Sequence, residues 1–390
     1  MKRIHLNHPD ARRRFPGHPW VYASEIERVD DGVRDGDAVA CFDSREKLLG
    51  SGLYNSKSTL IWRRYAQGEV DLNRQTLSGL LDHAFSLREA CPRSPDTDVR
   101  RLVWSDSDSL PGLVVDQYGT WLVIQTLTLG MDLRLDDMAS LFRARWPEHR
   151  LLLRNDAPVR LKEGMPCHHL ALDGNEEPSG QWVKASGVDL WMDWKRGHKT
   201  GLYLDQVDQY QRVARHAHGR RVLDTFCNEG GFALACARAG ATSVTAVDSS
   251  AHALAAATRN AVQNGVQLEI LEANVFDFFN QNRSTRWDLI VLDPPPFAPT
   301  RKSLEGAIRG YKELNLRAFK SLNNGGILAT YSCSHHMGSE MLRSLLSEAA
   351  RDAGVVARVL ETCSQPADHP VLLGFPESEY LRGYILEVMK

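Results

Sequence analysis

A carboxylate and a thiol follow two apolar runs in the last third of the chain, and together they could perform covalent chemistry. Asp293 comes directly after the run 289–292, and Cys333 comes shortly after the run 326–330. Short apolar runs of this kind predict buried strands of a parallel sheet. Because the carboxyl ends of parallel strands lie at the same edge of a sheet, where ligands bind, we expect the two side chains to share one pocket.

The segment after Asp293 is suited to holding a flat ring. Three prolines, among them Pro294 and Pro295, fix the backbone, and Phe297 follows them. An aromatic side chain can stack on an extruded nucleobase while the carboxylate meets its Watson-Crick edge. An acidic residue, two prolines and an aromatic are typical of methyltransferases that act on nucleobases, so Pro294, Pro295 and Phe297 are predicted to bind the substrate. A purely structural turn is the alternative.

Cys333 would supply the nucleophile for one particular methylation. Carbon 5 of cytosine does not attack a methyl sulfonium by itself, but addition of a thiolate at carbon 6 turns the ring into an enamine that does. Asp293 would promote the addition by holding the ring nitrogen and the exocyclic amine and sharing a proton with the base. A base then removes the carbon 5 proton, and His335, His336 or a water are the candidates. The predicted reaction is cytosine-5 methylation through a Cys333 adduct.

Two other functions are compatible with the same residues. A buried cysteine is ordinarily just a small apolar residue, and Asp293 with its prolines would then suffice to methylate a base nitrogen without an adduct. A protein of another class, a non-catalytic RNA-binding assembly factor, would retain the fold only as a scaffold. Replacement of Cys333 separates the two enzymes, and a test of cofactor binding separates both from the scaffold.

The loop after the first predicted strand of this region indicates the cofactor. It contains Asp224, Phe226, Asn228, Glu229 and Gly230 and lacks the Gly-x-Gly-x-x-Gly spacing of a dinucleotide site. Two carboxylates would repel a pyrophosphate but suit a sulfonium and an α-amino group. The sequence therefore predicts S-adenosylmethionine as cofactor and S-adenosylhomocysteine as product, bound by this loop.

Polar residues also end the next two predicted strands. Asp248 lies 24 positions after Asp224. This separation is close to the ~20 residues after which an acidic side chain meets the ribose hydroxyls in nucleotide-binding folds. Asn274 could hydrogen-bond the adenine edge, and Asp293 lies at the rim of the same pocket. Either Asp248 or Asn274 could instead be a helix cap. Polar residues at successive strand ends favour a shared ligand, so both are predicted to bind the cofactor.

Three domains are expected to position these residues. Residues 1–70 contain short β-like runs between Gly and Asp turns, which predict a small all-β barrel. Residues 71–196 combine helical and strand patterns and predict an α+β domain. Over residues 197–390 strand and helix alternate, which predicts an α/β fold with a doubly wound, Rossmann-like sheet.

A cluster of arginines near the N-terminus is the strongest local basic signal. Arg12, Arg13 and Arg14 precede Trp20, and cations beside an exposed aromatic suit a phosphate backbone. They are therefore predicted to contact a nucleic acid, with an ordinary solvated face as the alternative.

Composition narrows the class of protein. The 390 residues are 43% hydrophobic and 25% charged, with a net charge of −2, so attraction to a polyanion must come from local patches. Seven cysteines without a Cys-x-x-Cys pair indicate reduced thiols and no metal site. The chain has no leader-like start and no run of ~20 apolar residues, so we expect a cytoplasmic protein without a membrane span.

Several short motifs together give a family resemblance. The chain resembles the bacterial 23S ribosomal RNA large subunit methyltransferase I family, whose members are 5-methylcytosine enzymes. Besides the loop of Asp293 and the strand end at Cys333, the motifs are His18-Pro19-Trp20, Leu110-Pro111-Gly112, Val159-Arg160, Lys162-Glu163-Gly164, His198-Lys199-Thr200-Gly201, Tyr203-Leu204-Asp205-Gln206, Arg309-Gly310-Tyr311-Lys312 and Asp368-His369-Pro370.

The resemblance implies an architecture, partners and further site residues. It implies an N-terminal PUA domain, a central RNA-contacting domain and a class I methyltransferase domain, in a homodimer that acts on 23S rRNA. It also implies that Lys199, Thr200 and Gln206 help hold the cofactor and that Cys333 is the nucleophile.

Overall fold

A computed structural model describes the chain except for residues 14, 92–95, 173–178, 196, 198, 298–303 and 335–336. The side chain of Arg12 also lies outside the description. The described part contains sheets of six, five, two and seven strands. No helix in these described ranges is long and apolar enough to span a membrane.

The N-terminal segment forms a mixed six-stranded sheet. Its order is β2-β6-β5-β4-β1-β3, with β1 parallel to β4. The core contains Ile4, Val39 and Trp62, and the Trp62 indole donates to the Val39 carbonyl at 3.1 Å. The strands are β1 Arg3–Leu6, β2 Trp20–Val21, β3 Ile26–Val29, β4 Ala38–Phe42, β5 Leu48–Tyr54 and β6 Trp62–Ala66.

A five-stranded sheet with helices follows, in the order β11-β10-β9-β8-β7. The turn between β8 and β9 contains only Gly119 and Thr120, because buried Tyr118 at the end of β8 pairs with Trp121 at the start of β9. The elements are α1 Arg74–Ala90, β7 Val99–Trp104, β8 Leu113–Tyr118, β9 Trp121–Thr126, α2 Leu129–Asp132, α3 Leu135–Arg145, β10 Arg150–Asn155, α4 Val159–Lys162 and β11 His168–Ala171.

A separate hairpin joins β12 (Gly180–Ala185) to β13 (Val188–Asp193). It turns at Ser186 and Gly187, and both residues have positive φ angles, 50° and 77°. Such angles are those of the tight hairpin turns whose twist matches the strands.

The C-terminal region is a seven-stranded sheet of order β16-β15-β14-β17-β18-β20-β19, with β20 antiparallel to its neighbours. Apolar clusters cover both faces, which confirms the predicted doubly wound α/β fold. The elements are α5 Val207–Ala214, β14 Arg221–Thr225, α6 Gly231–Arg238, β15 Ser243–Asp248, α7 Ala251–Gln263, β16 Glu269–Glu272, α8 Val275–Gln281, β17 Trp287–Leu292, α9 Leu304–Ser321, β18 Leu322–Ser332, α10 Ser339–Ala353, β19 Val356–Ser364 and β20 Arg382–Met389.

Candidate functional site

Four predicted site residues lie at one edge of the seven-stranded sheet. Asp224 and Asp248 belong to the last two positions of β14 and β15, and Asp293 and Cys333 directly follow β17 and β18. These four strands are parallel and hydrogen-bonded as neighbours in the order β15-β14-β17-β18. The carboxyl ends of parallel neighbours point the same way, so the fold brings the four side chains to one edge.

The thiol of Cys333 lies against the loop that carries Asp293. Its Sγ is 4.0 Å from the carbonyl oxygen of Pro294, and the side chain is partly buried. Burial, followed by the Asp293 carboxylate, raises the pKa of Cys333 to about 12, and the Lys199 ammonium opposes that rise. Cys333 is therefore a protonated thiol until positive charge enters the pocket or negative charge leaves it.

Asp293 has the proton affinity of a general acid. Burial, followed by the Asp205 carboxylate, raises the pKa of Asp293 to about 7, while the Lys199 ammonium and a hydrogen bond with Gln206 act in the opposite direction. Both protonation states are therefore populated near neutral pH, and the carboxyl group can donate a proton or accept one. The structure thus brings Asp293, Cys333, Lys199 and Gln206 together.

Asp205 and Tyr380 belong to this cluster, although neither was predicted from the sequence as a site residue. Lys199 Nζ lies 2.7 Å from Asp205 Oδ2, and the Tyr380 hydroxyl donates to the same oxygen at 2.8 Å. Although burial alone would raise it, the Lys199 and His369 charges hold the pKa of Asp205 well below its ordinary value. Tyr380 is far away in sequence, so only the motif that includes Asp205 could have drawn attention to this ion pair.

Thr200 lies in a different environment from its neighbour in sequence, Lys199. Its buried hydroxyl is hydrogen-bonded to Asp116 and lies 2.9 Å from the Tyr118 hydroxyl. Asp116 also receives two hydrogen bonds from Arg101, at 2.8 and 2.7 Å. The Thr200 side chain therefore belongs to a polar network with the five-stranded sheet, and its predicted contact with a cofactor remains a prediction.

The loop between β14 and α6 forms a tight cradle. Phe226, Asn228 and Gly230 have φ angles of 58°, 48° and 87°. The Asn228 amide donates to Asp248 Oδ2 at 2.9 Å, which ties the loop to the end of β15. A side chain at Gly231 would collide with the Tyr210 ring, so α6 must begin with a glycine there.

The cradle contains carboxylate oxygens that lack partners. Asp224 Oδ2 accepts from the Ala233 amide at 2.9 Å, but buried Oδ1 has no hydrogen-bond partner in the described ranges. The same holds for Glu229 Oε2, and burial raises the pKa of Glu229 to about 7 against the Arg259 charge. Burial also raises the pKa of Asp224 well above its ordinary value. Unsatisfied buried carboxylates favour a cationic ligand, so the cradle fits a sulfonium and an α-amino group.

Asp248 and Asn274, which are predicted to bind the adenosine part of the cofactor, also accept hydrogen bonds from backbone amides. Asp248 Oδ1 accepts from the Ser250 amide at 2.9 Å, in addition to the bond from Asn228. Asn274 caps α8, because its side-chain oxygen accepts from the Phe276 amide at 2.9 Å. For this oxygen, the helix-cap alternative is correct. A carboxylate has about four acceptor sites and an amide has two N–H donors. Both side chains therefore retain capacity for a ligand.

The prolines and Phe297 form the outer part of the loop. Pro294 is buried and Pro295 is exposed. The Phe297 ring lies 4.9 Å from the ring of buried Tyr311, measured between centroids, and its nearest atoms would be 3.5 Å from a Cβ at Gly310. Phe297 thus rests on α9 and is partly buried.

The predicted arginine patch requires a correction. Arg13 pairs with Glu25 at 3.1 Å and with Asp10 at 3.6 Å and donates to the His18 carbonyl, and its side chain is only 7% exposed. Its charge is neutralised inside the N-terminal sheet, so it is unavailable to a phosphate. Trp20 is half-buried and donates to Asp106 at 2.8 Å, so it is not the exposed aromatic that was predicted.

Some predictions fall outside the described residues. Arg14 and the Arg12 side chain cannot be placed, and neither can His335 or His336. Where residues are described, no three His, Cys, Asp or Glu side chains form a group able to hold a metal.

Family models match both ends of the chain. Residues 4–67 match a PUA-like domain, and residues 159–374 match an S-adenosylmethionine-dependent methyltransferase. The fold is similar to that of a candidate SAM-dependent methyltransferase from Streptococcus mutans, with a TM-score of 0.83 and 19% identity over 99% of this chain and 100% of that one. Another candidate methyltransferase, crystallised with SAH, has a TM-score of 0.82, 20% identity and the same coverage. These matches confirm the predicted cofactor, S-adenosylmethionine.

Curated proteins match almost the whole chain. The ribosomal RNA large subunit methyltransferase I of Aeromonas hydrophila is 37% identical over 379 residues, which is 95% of each protein. That of Escherichia coli O9:H4 is 34% identical over 380 residues, covering 95% of this chain and 96% of the relative. With the strand-end polar groups and the acidic cradle in place, these matches lead to one conclusion: the chain belongs to the ribosomal RNA large subunit methyltransferase I family.

Proposed function

We propose that this protein methylates carbon 5 of a cytosine in 23S rRNA through a covalent adduct with Cys333. The observation that carries the proposal is the position of a thiol and a carboxyl group of pKa about 7 at neighbouring strand ends, beside an acidic cradle. Methylation of a base nitrogen does not require the thiol. Addition at carbon 6 of a pyrimidine requires both a nucleophile and a proton donor.

The first step is addition to the base. The Cys333 sulfur forms a bond to carbon 6 as the carbon 5–carbon 6 double bond shifts its electrons toward ring nitrogen 3. Asp293, in its protonated form, donates a proton to that nitrogen, so no charge accumulates on the ring. The bound cofactor supplies an electrophilic methyl group and a positive charge. Asp224, Glu229 and Asp248, with the backbone of Phe226, Asn228 and Gly230, would hold it.

The thiol must lose a proton before it can add. The carboxylates of Asp293 and Asp205 raise the pKa of Cys333, and the Lys199 ammonium lowers it. Protonation of Asp293 and any cation at the cradle both act in the direction of Lys199. We therefore expect the thiolate to form only in the loaded site, which protects the resting thiol from side reactions.

The last step restores the aromatic ring. Once carbon 5 of the enamine carries the methyl group, its proton leaves to a base, the sulfur–carbon 6 bond breaks, and Cys333 recovers its electron pair. Ring nitrogen 3 returns its proton to Asp293, so the carboxyl group is ready for the next cycle. His335, His336 and a water remain the candidates for this base.

A trapping experiment tests the adduct. An unmodified 23S rRNA transcript containing 5-fluorocytosine cannot lose a proton from carbon 5, so the wild-type protein with S-adenosylmethionine should remain covalently attached in a denaturing gel. Cys333→Ser should form no adduct, whereas Cys167→Ser, at an exposed cysteine, should behave as the wild type. On an ordinary transcript, nucleoside mass spectrometry should find 5-methylcytidine.

One alternative function predicts a different result for Cys333→Ser on the ordinary transcript, and the other predicts a different result in a cofactor-binding measurement. Methylated product with full activity in Cys333→Ser would support methylation of a base nitrogen. Absence of binding to S-adenosylhomocysteine in calorimetry would support the scaffold function.

The partners of this function are proposals as well. The PUA-like domain and the rRNA-modifying relatives support RNA as substrate. We also propose a cytoplasmic homodimer, which the family resemblance implies. We further propose the three-domain division 1–70, 71–196 and 197–390, with the first two domains contacting RNA.

A further inference from the structure

An open hollow of about 480 Å³ lies beside the loop that carries Asp293. Phe276 and Phe297 line it together with the face of α9 from Glu305 to Gly310. Its volume lies within the ~300–1,000 Å³ of typical small-ligand sites. The cofactor cradle does not use these side chains, and of them only Phe297 is predicted from the sequence to contact the substrate base.

Both aromatic walls are fixed by protein contacts. The Phe276 carbonyl accepts from Arg317 at 2.8 Å, and the Arg317 guanidinium lies 6.0 Å from the Phe276 ring centroid. The Phe297 ring rests on Tyr311, and the centroids of the Phe276 and Phe297 rings are 6.5 Å apart. Rings that are held in place lose little entropy when a flat ligand binds.

The α9 face of the hollow contains two glycines, Gly306 and Gly310. Each costs the helix about 0.5–1 kcal/mol relative to alanine. Among the described residues, a Cβ at Gly306 would have no atom within 4 Å, and a Cβ at Gly310 would make an ordinary contact of 3.5 Å with Phe297. Internal packing therefore does not require these glycines, and their absent side chains leave the hollow open.

Two exposed charges border the hollow. Arg309 can contact a phosphate, and Glu305 can accept a hydrogen bond from the exocyclic amine of a base. Aromatic walls, one cation and one carboxylate match the three parts of a nucleotide: the face of the base, the phosphate and the base edge.

We propose that the hollow binds the nucleotide adjacent to the target cytosine, with its base on Phe276 or Phe297 and its phosphate at Arg309. The inference rests on the proposed function because it takes RNA as the substrate. Phe297 lines the hollow and is four residues beyond Asp293 in one loop, so the hollow lies close to the position proposed for the target base. It also gives a role to the motif Arg309-Gly310-Tyr311-Lys312.

Filling the hollow provides the test. Gly306→Leu places a side chain in open space and should leave the melting temperature at or above that of the wild type. We expect its Kd for an unmodified 23S rRNA transcript to rise about tenfold, as for loss of one stacked base, with the calorimetric Kd for S-adenosylhomocysteine unchanged. The matched control is Gly79→Leu on α1, another exposed glycine with nothing near its Cβ.

The charge at the rim is tested separately. Arg309→Gln should weaken transcript binding and reduce the slope of log K against log salt by about one, as expected for one lost phosphate contact. Arg343→Gln, at an exposed arginine on α10, is the control and should change neither.

Two results would overturn the inference. Unchanged RNA affinity in Gly306→Leu would exclude a nucleotide in the hollow, and a parallel loss of S-adenosylhomocysteine affinity would assign the hollow to the cofactor. Failure of the proposed chemistry has a different signature: the wild type would bind the transcript and respond to Gly306→Leu but yield no 5-methylcytidine.

Discussion

Among single residues, Asp293 shows most directly how burial prepares a group for chemistry. Its pKa of about 7 follows from burial and from the Asp205 carboxylate. Asp288, near the start of β17, the strand that Asp293 follows, has a lowered pKa, because hydrogen bonds from the Arg221 amide and Asn323 outweigh the effect of burial. The pKa values of these two aspartates are thus shifted in opposite directions by folding, and the difference can be measured.

Asp293→Asn should stabilise the cofactor-free protein at high pH. Between the ordinary pKa of 3.8 and about 7, the folded protein keeps a proton that the unfolded chain releases, so stability falls as pH rises through this window. At about 1.4 kcal/mol per pKa unit, the upper bound of that loss is ~4 kcal/mol. The variant lacks the loss, so its melting temperature should exceed that of the wild type at pH 8 and match it near pH 4.

The control for this experiment has the opposite sign. Asp288→Asn removes a carboxylate whose pKa is lowered on folding, so it should reduce the melting temperature at pH 8. A lower melting temperature at pH 8 for Asp293→Asn would contradict the raised pKa.

The reactivity of Cys333 should depend on the same carboxylate. Because the Asp293 charge raises the pKa of Cys333, Asp293→Asn should increase the rate of Cys333 alkylation by iodoacetamide at pH 8.5 several-fold. Peptide mass spectrometry measures the rate, and exposed Cys167 in the same sample is the internal control. Equal Cys333 rates in the two proteins would show that the carboxylate does not act on the thiol.

At the scale of elements, the start of α6 determines the shape of the cofactor cradle. Gly231 packs so closely on Tyr210 that Gly231→Ala must displace the ring or the loop. Overpacking of this kind costs ~1–3 kcal/mol, and we expect weaker binding of S-adenosylhomocysteine in calorimetry. Gly79→Ala, at an unobstructed position of α1, should instead raise stability by about 0.5–1 kcal/mol. Similar effects of the two substitutions would argue against a steric role for Gly231.

The hairpin β12–β13 is a second element whose position matters for the site. Asn260 of α7 accepts from the Trp191 amide at 3.0 Å and donates to the Glu229 carbonyl at 3.0 Å. Asn264, one turn later, exchanges two hydrogen bonds with the backbone of Asp189. The side-chain amides of Asn260 and Asn264 thus hydrogen-bond to the backbone of β13, and Asn260 also bonds to the cradle. These bonds hold the hairpin, α7 and the cradle together.

At the scale of the whole molecule, the segment between β19 and β20 connects distant parts of the chain. Its Phe375 ring lies 4.7 Å from that of Trp20, and Glu377 lies 2.9 Å from the His18 ring nitrogen. Its Tyr380 reaches Asp205 in the candidate active site. This segment therefore links the N-terminal sheet to the catalytic region.

Replacement of Arg88, which contacts the segment between β19 and β20, measures how much this residue contributes to stability. The fully buried guanidinium contacts Asp108 at 2.5 Å and donates to the Asp368 carbonyl at 2.8 Å, across 280 residues of sequence. Arg88→Met leaves the Asp108 carboxylate buried without its cation, so urea unfolding should show a loss of ~3–5 kcal/mol. Adding Asp108→Asn should recover part of that loss, and strictly additive losses would contradict a direct pairing.

The sequence by itself determined the order of elements and the residues at the strand ends. The apolar run 289–292 ends where β17 ends, because local periodicity and flanking turn residues fix such strand ends. The cofactor class could also be predicted, because the loop with Asp224 and Glu229 is a continuous segment of the sequence. The strands β19 and β20 were not predicted individually, since their place depends on pairing with β18.

Only the tertiary structure decided the electrostatics and the open space. The Asp205–Tyr380 contact, the internal pairing of Arg13 and the hollow at Phe297 join residues that are distant along the chain or hidden by folding. A pKa or a cavity depends on everything that surrounds a group in three dimensions, whereas periodicity reports only its neighbours in sequence. For this reason the sequence named Asp293 and Cys333, and the fold shows how each is tuned.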